Sequence, residues 1–207
     1  MTDVPTAKWR SVTASAPAKV ILHGEHSVVY GKLALAASID LRTKVIIKLS
    51  SCKKRLLRVN LLNYSKKSLD FDLEVLRSLN YDMKTLNEID NDLKDNLVQI
   101  VCDSCPEEHL EHSEGLVALL YLCVAFFKES DLDLMPMDIV VSSDIPMGAG
   151  LGSSAAFSVA LAAALFHLQN GLKRRSDDEE ADKYVICKWA FKSEKIIHGN
   201  PSGTVFI

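Results

Sequence analysis

The feature that most constrains this fold is a glycine-rich segment between two apolar stretches. Three glycines fall within five residues, at Gly148, Gly150 and Gly152, and two serines follow them directly. A β-branched stretch at residues 137–141 precedes the segment and an alanine-rich stretch at 155–168 follows it, which predicts strand, turn and helix. Because the first amides of a helix lack partners within it and the helix dipole adds positive potential, we expect a phosphate site there.

The glycine segment differs from two common phosphate-binding motifs. It is not a Walker A loop, because no Gly-Lys-Ser/Thr follows the glycines, and its spacing does not match the dinucleotide-binding fingerprint. The hydroxyls of Ser153 and Ser154 can bond phosphate oxygens or a magnesium ion. A tight turn that only packs the helix against the strand is the alternative interpretation.

The remaining apolar pattern predicts an α+β domain. We expect strands over residues 20–22, 45–47, 56–62, 69–73 and 137–141. Helices are expected over 82–104, 114–128, 155–168 with Gly171 as its stop, and 177 to about 199. Residues 72–79 could begin a helix instead of continuing a strand.

Composition excludes several classes of protein. The chain has 207 residues and a net charge of −3, without the basic excess of a nucleic-acid-binding protein. The longest apolar run, residues 116–127, is too short to span a bilayer, and residues 1–10 lack the apolar stretch of a secretory signal. We therefore expect a cytoplasmic protein with no nucleic-acid or membrane partner, whose five cysteines are free thiols.

One cluster of cysteines and histidines superficially suggests zinc. Cys102 and Cys105 are followed by His109 and His112, but this spacing is far shorter than that of a zinc finger. Pro106 also interrupts the local helix. We favour a helix-to-loop junction over a metal site.

Three separated motifs resemble the superfamily of galactokinase, homoserine kinase, mevalonate kinase and phosphomevalonate kinase (the GHMP kinases). They are PMGAGLGSSAA at residues 146–156, APAKVILHGEH at 16–26 with VVYGK at 28–32, and KWAF at 188–191 with IHGNPSG at 197–203. The second motif is similar to the opening of the mevalonate kinase family. The resemblance implies an N-terminal ATP-binding domain over residues 11–203, with a mixed or antiparallel sheet packed with helices. Residues 1–10 would be a flexible N-terminus and 204–207 a divergent end.

The resemblance also implies roles for individual residues in transferring the γ-phosphate of ATP to the primary hydroxyl of mevalonate. ATP contacts are implied for Lys19, Asn63, Ser143, Gly148, Ala149, Gly150, Leu151, Gly152, Ser153 and Ser154. Lys19 would be catalytic, with its ammonium near the attacking hydroxyl. Glu25 and His26 would line the mevalonate pocket, and Ser154 with Glu194 would ligate Mg²⁺.

Each of these roles has a simpler alternative. Lys19 could be a solvent-facing lysine at a strand edge, and Glu25 with His26 could be polar residues of a surface turn. Glu194 could be an exposed helix residue paired with Lys192 or Lys195.

The sequence departs from the family pattern after Gly203. The family continues with an aliphatic residue, an aspartate that acts as general base, and an asparagine, whereas this sequence reads Thr204, Val205, Phe206 and Ile207. We therefore expect a chain truncated before the catalytic aspartate, lacking the C-terminal domain and nearly or wholly inactive. The full-length form is expected to be a homodimer. Alternatives are a non-catalytic nucleotide- or partner-binding chain and a related GHMP kinase acting on another alcohol or phosphate.

Overall fold

The computed structural model describes residues 11–24, 26, 30–50, 55–63, 67–82, 88–105, 113–130, 132–146, 148–173 and 179–199. The strands are β1 (Ser11–His23), β2 (Leu35–Leu49), β3 (Leu56–Leu61), β4 (Leu69–Asp72) and β5 (Met137–Ser143). The helices are α1 (Leu73–Ser78), α2 (Asn91–Ser104), α3 (Ser113–Glu129), α4 (Ser153–Lys173) and α5 (Glu179–His198).

The five strands form one mixed sheet in the order β1-β2-β5-β3-β4. β2 pairs antiparallel with both β1 and β5, and β3 pairs antiparallel with β4. β3 and β5 are parallel, so the chain must cross over between them, and β4 and the helices α1, α2 and α3 lie within that crossover. The α+β class and the mixed sheet predicted from the sequence are confirmed.

Helix α3 lies at the centre of the core. Its residues 116–127 are all buried, so the helix has no solvent-facing stripe over these three turns. It packs against α2, α4 and α5, while α4 also packs on strands β1 and β2. Within the described part of the chain, no helix has the length and apolar character needed to cross a bilayer.

Two predicted helix limits are wrong. The helix predicted from Asp82 begins only at Asn91, because Asp90 caps it by accepting a hydrogen bond from the amide of Leu93. The apolar periodicity predicts that this helix includes residues 83–87, which lie outside the described residues. Gly171 does not stop α4, which continues to Lys173, since a single glycine inside a helix costs only about 1 kcal/mol.

The ambiguity at residues 72–79 has a simple physical origin. Asp72 ends β4 and also caps α1, accepting a hydrogen bond from the amide of Glu74. Strand and helix therefore adjoin at this residue.

Candidate functional site

The glycine segment forms the predicted turn between β5 and α4. Gly148, Gly150 and Gly152 have φ angles of 69°, 69° and 71°, in the left-handed region that other residues rarely adopt. Helix α4 begins with the hydrogen bond from the amide of Ala156 to the carbonyl of Gly152, at 3.0 Å. The amides of the first turn precede this bond and are oriented out of the helix, toward any anion held there.

Lys19 of β1 lies against this turn. Its backbone amide donates to the carbonyl of Leu151 at 3.0 Å. A methyl group added at Gly152 would lie 3.7 Å from Cε and 3.9 Å from Cβ of Lys19, so the lysine side chain runs beside the start of α4. The fold thus brings together two motifs that are more than a hundred residues apart in the sequence.

A cavity of about 460 Å³ opens beside the glycine turn. Its polar wall contains Thr43, Asn63, Glu114, Ser143, Ser153, Ser154 and His198. The rest of the lining is the glycine turn itself with Leu61, Gly115, Leu116, Val141, Pro146, Phe157 and Ile197. This volume lies within the usual range of small-molecule pockets, and the mixture of apolar walls with a few polar groups is typical of them.

Asn63 and Ser143 lie together in the cavity lining, where the parallel strands β3 and β5 finish. The side-chain amide of Asn63 donates to the carbonyl of Ser143 at 2.8 Å, and its oxygen accepts from the amide of Ser143 at 2.7 Å. The hydroxyl of Ser143 bonds to that of Thr43 at 2.8 Å. A side-chain amide has two N–H donors, so Asn63 can also donate to a ligand.

A polar seam joins α4 to α5 beside the turn. Ser154 and Ser158 are four residues apart on α4, and Glu194 and His198 are four residues apart on α5, so each pair shares one helix face. Nε2 of His198 lies 2.9 Å from Oγ of Ser154. Sequence reasoning gave no role to Ser158 or His198, although the two matching spacings were visible.

Glu194 is only 4% exposed, which does not fit the alternative of an exposed helix residue. Burial raises the pKa of its carboxyl above the ordinary value. A hydrogen bond from Ser154, the charge of His198, a hydrogen bond from Ser158 and the charge of Lys19 act in the opposite direction. Lys192 does not pair with this carboxylate, since its Nζ donates to the hydroxyl of Tyr81 at 2.9 Å.

The Ser154 hydroxyl and the Glu194 carboxylate form a donor set that fits a magnesium ion. Both are hard oxygen ligands, and Mg²⁺ is usually held by one or two protein groups together with phosphate and water. The described residues contain no group of three or more histidine, cysteine or acidic side chains arranged for a metal.

Three predicted site residues, Lys19, His26 and Glu194, are absent from the cavity lining. Lys19 and Glu194 lie beside the glycine turn and Ser154, whereas His26 is exposed, and Glu25 lies outside the described residues. At the end of α2, Cys102 is exposed and Cys105 is half-buried, while His109 and His112 lie outside the described residues.

Residues 118–206 match the family model of the GHMP kinases N terminal domain. The chain contains a GHMP kinase N-terminal domain. The predicted superfamily is thereby confirmed, together with the fold it implied.

Similar proteins extend the match over nearly the whole chain. Mevalonate kinase of Mus musculus is 41% identical over 202 residues, which cover 93% of this chain and 50% of the mouse protein. Mevalonate kinase of Methanococcus jannaschii superposes with a TM-score of 0.61 at 22% identity, covering 96% of this chain and 52% of that structure. L. major mevalonate kinase in complex with R-mevalonate gives 0.57 at 19%, covering 98% and 48%. The structural likenesses show the fold alone, and the chain spans about half the length of the curated relatives it matches.

Proposed function

We propose that this chain provides the ATP-binding half of a mevalonate kinase. The reaction would transfer the γ-phosphoryl group of ATP to the primary hydroxyl of mevalonate. The observation that supports the proposal best is the side chain of Lys19 lying beside the glycine turn at the start of α4. The 41% identity to the mouse mevalonate kinase supports the choice of substrate.

In this proposal the glycine turn holds the triphosphate. Amides from Gly148 to Ser154 would donate to phosphate oxygens, and the positive end of the α4 dipole would favour their charge. Asn63 and Ser143 would also contact the nucleotide, and apolar lining residues such as Phe157 offer a surface for the base.

Lys19 would act on the group being transferred. Phosphoryl transfer depends mainly on alignment and on positive charge around the transferred group. The ammonium of Lys19 would stabilise charge on the γ-phosphate and favour loss of the proton from the attacking hydroxyl. Glu25 and His26 would orient mevalonate by hydrogen bonds to its hydroxyl and carboxylate groups.

Ser154 and Glu194 would hold Mg²⁺ against the phosphates. The ion, when bound, neutralises phosphate charge. For its part the protein supplies a buried carboxylate, and the neighbouring charges of His198 and Lys19 favour its ionised form. The proposal also includes a cytoplasmic location and a homodimer of the full-length protein.

Nucleotide binding by the purified 207-residue chain tests the first half of the proposal. We expect isothermal titration with ATP and Mg²⁺ to give one site. Lys19→Met should weaken binding by about tenfold or more, since a charge-assisted hydrogen bond contributes roughly 1.5–3 kcal/mol. Lys48→Met, which removes an exposed lysine at the far end of β2, is the matched control and should bind as the parent does. Equal affinities for the two variants would refute the role of Lys19.

A panel of alcohols tests the second half. In the presence of ATP and Mg²⁺, we expect R-mevalonate, but not galactose or homoserine, to raise the melting temperature of the chain, because a ligand stabilises the state that binds it. Stabilisation by another alcohol would replace mevalonate as the substrate and leave the nucleotide site unaffected.

A further inference from the structure

Two serine hydroxyls lie behind Glu194 in the polar seam. Ser158 and Ser193 are completely buried, and Glu194 is 4% exposed. Oγ of Ser158 lies 2.8 Å from Oγ of Ser193 and 3.3 Å from Oε1 of Glu194. The three side chains therefore form one continuous hydrogen-bonded group, shielded from water and next to Ser154.

The hydroxyl of Ser158 is the donor to both of its neighbours in this group. A serine hydroxyl has one proton to donate and two lone pairs that accept, whereas an ionised carboxylate only accepts. The single proton of Ser158 is therefore shared between the hydroxyl of Ser193 and the carboxylate of Glu194. When Glu194 is ionised, its charge favours the bond from Ser158 to the carboxylate, because hydrogen bonds to an ionised acceptor are stronger than those between neutral groups.

We propose that Ser158 is a positioning residue that holds the Glu194 carboxylate in the orientation in which it and Ser154 ligate Mg²⁺. The inference rests on the proposed function, since it concerns the cation bound with ATP. Without the Ser158 hydroxyl, the carboxylate keeps Ser154 as a hydrogen-bonding partner but is free to rotate toward the charges of His198 and Lys19. Loss of a hydrogen bond that orients a metal-ligating side chain commonly weakens metal affinity about 10–100-fold.

Ser158→Ala removes only this hydroxyl and keeps a residue that favours the helix. ATP binding is measured while Mg²⁺ is titrated, and again without a divalent cation. We expect the half-saturating Mg²⁺ concentration to rise about tenfold or more, with cation-free ATP binding within about twofold of the parent because the glycine turn is unchanged. Ser158→Cys, which retains a weak donor, should give an intermediate shift.

Ser130→Ala is the matched control. Ser130 is 3% exposed, and its hydroxyl donates to the carbonyls of Phe126 and Phe127, at 2.8 and 3.0 Å, at the end of α3. This variant loses an equally buried hydroxyl outside the cavity lining, so we expect a lower melting temperature but an unchanged Mg²⁺ requirement. Titration of Mn²⁺ followed by electron paramagnetic resonance gives the same comparison without relying on catalysis.

The outcomes separate the two proposals. If the parent binds ATP in a Mg²⁺-dependent manner and Ser158→Ala shows the same dependence, the inference is overturned while the nucleotide site stands. If Ser130→Ala reproduces the Mg²⁺ shift, the effect comes from general loosening of the core, and the inference is again overturned. If the parent binds no ATP at any Mg²⁺ concentration, both proposals fall.

Discussion

Replacing Glu194 with glutamine should stabilise the ligand-free protein at neutral pH while impairing its function. Glu194 is buried, and burial raises the pKa of its carboxyl, so keeping it ionised costs free energy in the folded state. Glutamine has nearly the same shape, carries no charge, and can exchange hydrogen bonds with the hydroxyls of Ser154 and Ser158. The variant therefore removes the free-energy cost of keeping a buried carboxylate ionised and creates no cavity.

The expected gain is modest, because the hydrogen bond from Ser154, the charge of His198, the hydrogen bond from Ser158 and the charge of Lys19 already offset part of the cost. Stabilising replacements at functional sites commonly contribute about 0.5–2 kcal/mol. In a chain of 207 residues, each kcal/mol corresponds to roughly 2–4 °C in melting temperature, so Glu194→Gln should melt about 1–8 °C higher than the parent.

The pH dependence of folding stability follows from the direction in which the pKa of Glu194 is shifted. Because the folded-state pKa of Glu194 lies above its ordinary value of 4.5, the folded chain binds more protons than the unfolded chain between these two values. The contribution of Glu194 to stability therefore falls as pH rises through that window. The advantage of Glu194→Gln should appear as pH rises through the window, hold at neutral pH and vanish below pH 4.5, where the carboxyl is protonated in both states.

Thermal melts of ligand-free parent and variant at several pH values provide the assay. Glu180→Gln is the matched control on the same helix, because the Glu180 side chain is 87% exposed and its ion pair with Lys183 is a surface pair. We expect its stability to change by less than about 0.5 kcal/mol. A Glu194→Gln protein that melts below the parent at neutral pH, or that keeps its advantage below pH 4.5, would refute the reasoning. Titration calorimetry should show that the variant loses Mg²⁺-dependent ATP binding.

Two further predictions concern stability. Gly24 and Gly31 both have positive φ angles, 88° and 68°, but only at Gly24 would a Cβ atom meet backbone, 2.7 Å from the carbonyl oxygen of Leu33. Gly24→Ala should thus lose about 1–3 kcal/mol more than Gly31→Ala in urea denaturation, and equal losses would contradict the packing described. The Tyr81 hydroxyl donates to Glu129 and accepts from the buried Lys192, both at 2.9 Å, so Tyr81→Phe should lower the free energy of unfolding by about 1–3 kcal/mol. The exposed Tyr184→Phe should have little effect, and a similar result for both tyrosines would count against the network.

The sequence was sufficient to predict the glycine turn and most strands, because these depend on local chemistry. Glycines at alternate positions permit the left-handed backbone, and β-branched runs favour extended chain. The beginning of α2 was mispredicted because one capping interaction at Asp90 outweighs the apolar periodicity before it.

The candidate site was less accessible to sequence reasoning, because it depends on which helix faces meet. Ser154 and Glu194 could be proposed from their motifs, but the part of Ser158 becomes visible only when α4 lies against α5. The proposed role of Lys19 likewise depends on β1 passing beside the glycine turn. Neither arrangement follows from local propensity.

The two hydrogen bonds between Asn63 and Ser143 have a consequence for how the pocket forms during folding. The two residues are 80 positions apart, and the central helix α3 lies in the intervening chain. Closing so long a loop costs conformational entropy, and this cost is offset only when contacts within the loop have formed. Pairings between such distant residues are therefore slow steps of folding. The proposed nucleotide pocket should consequently form only after the core has folded, so nucleotide binding would be acquired late in the folding of this half.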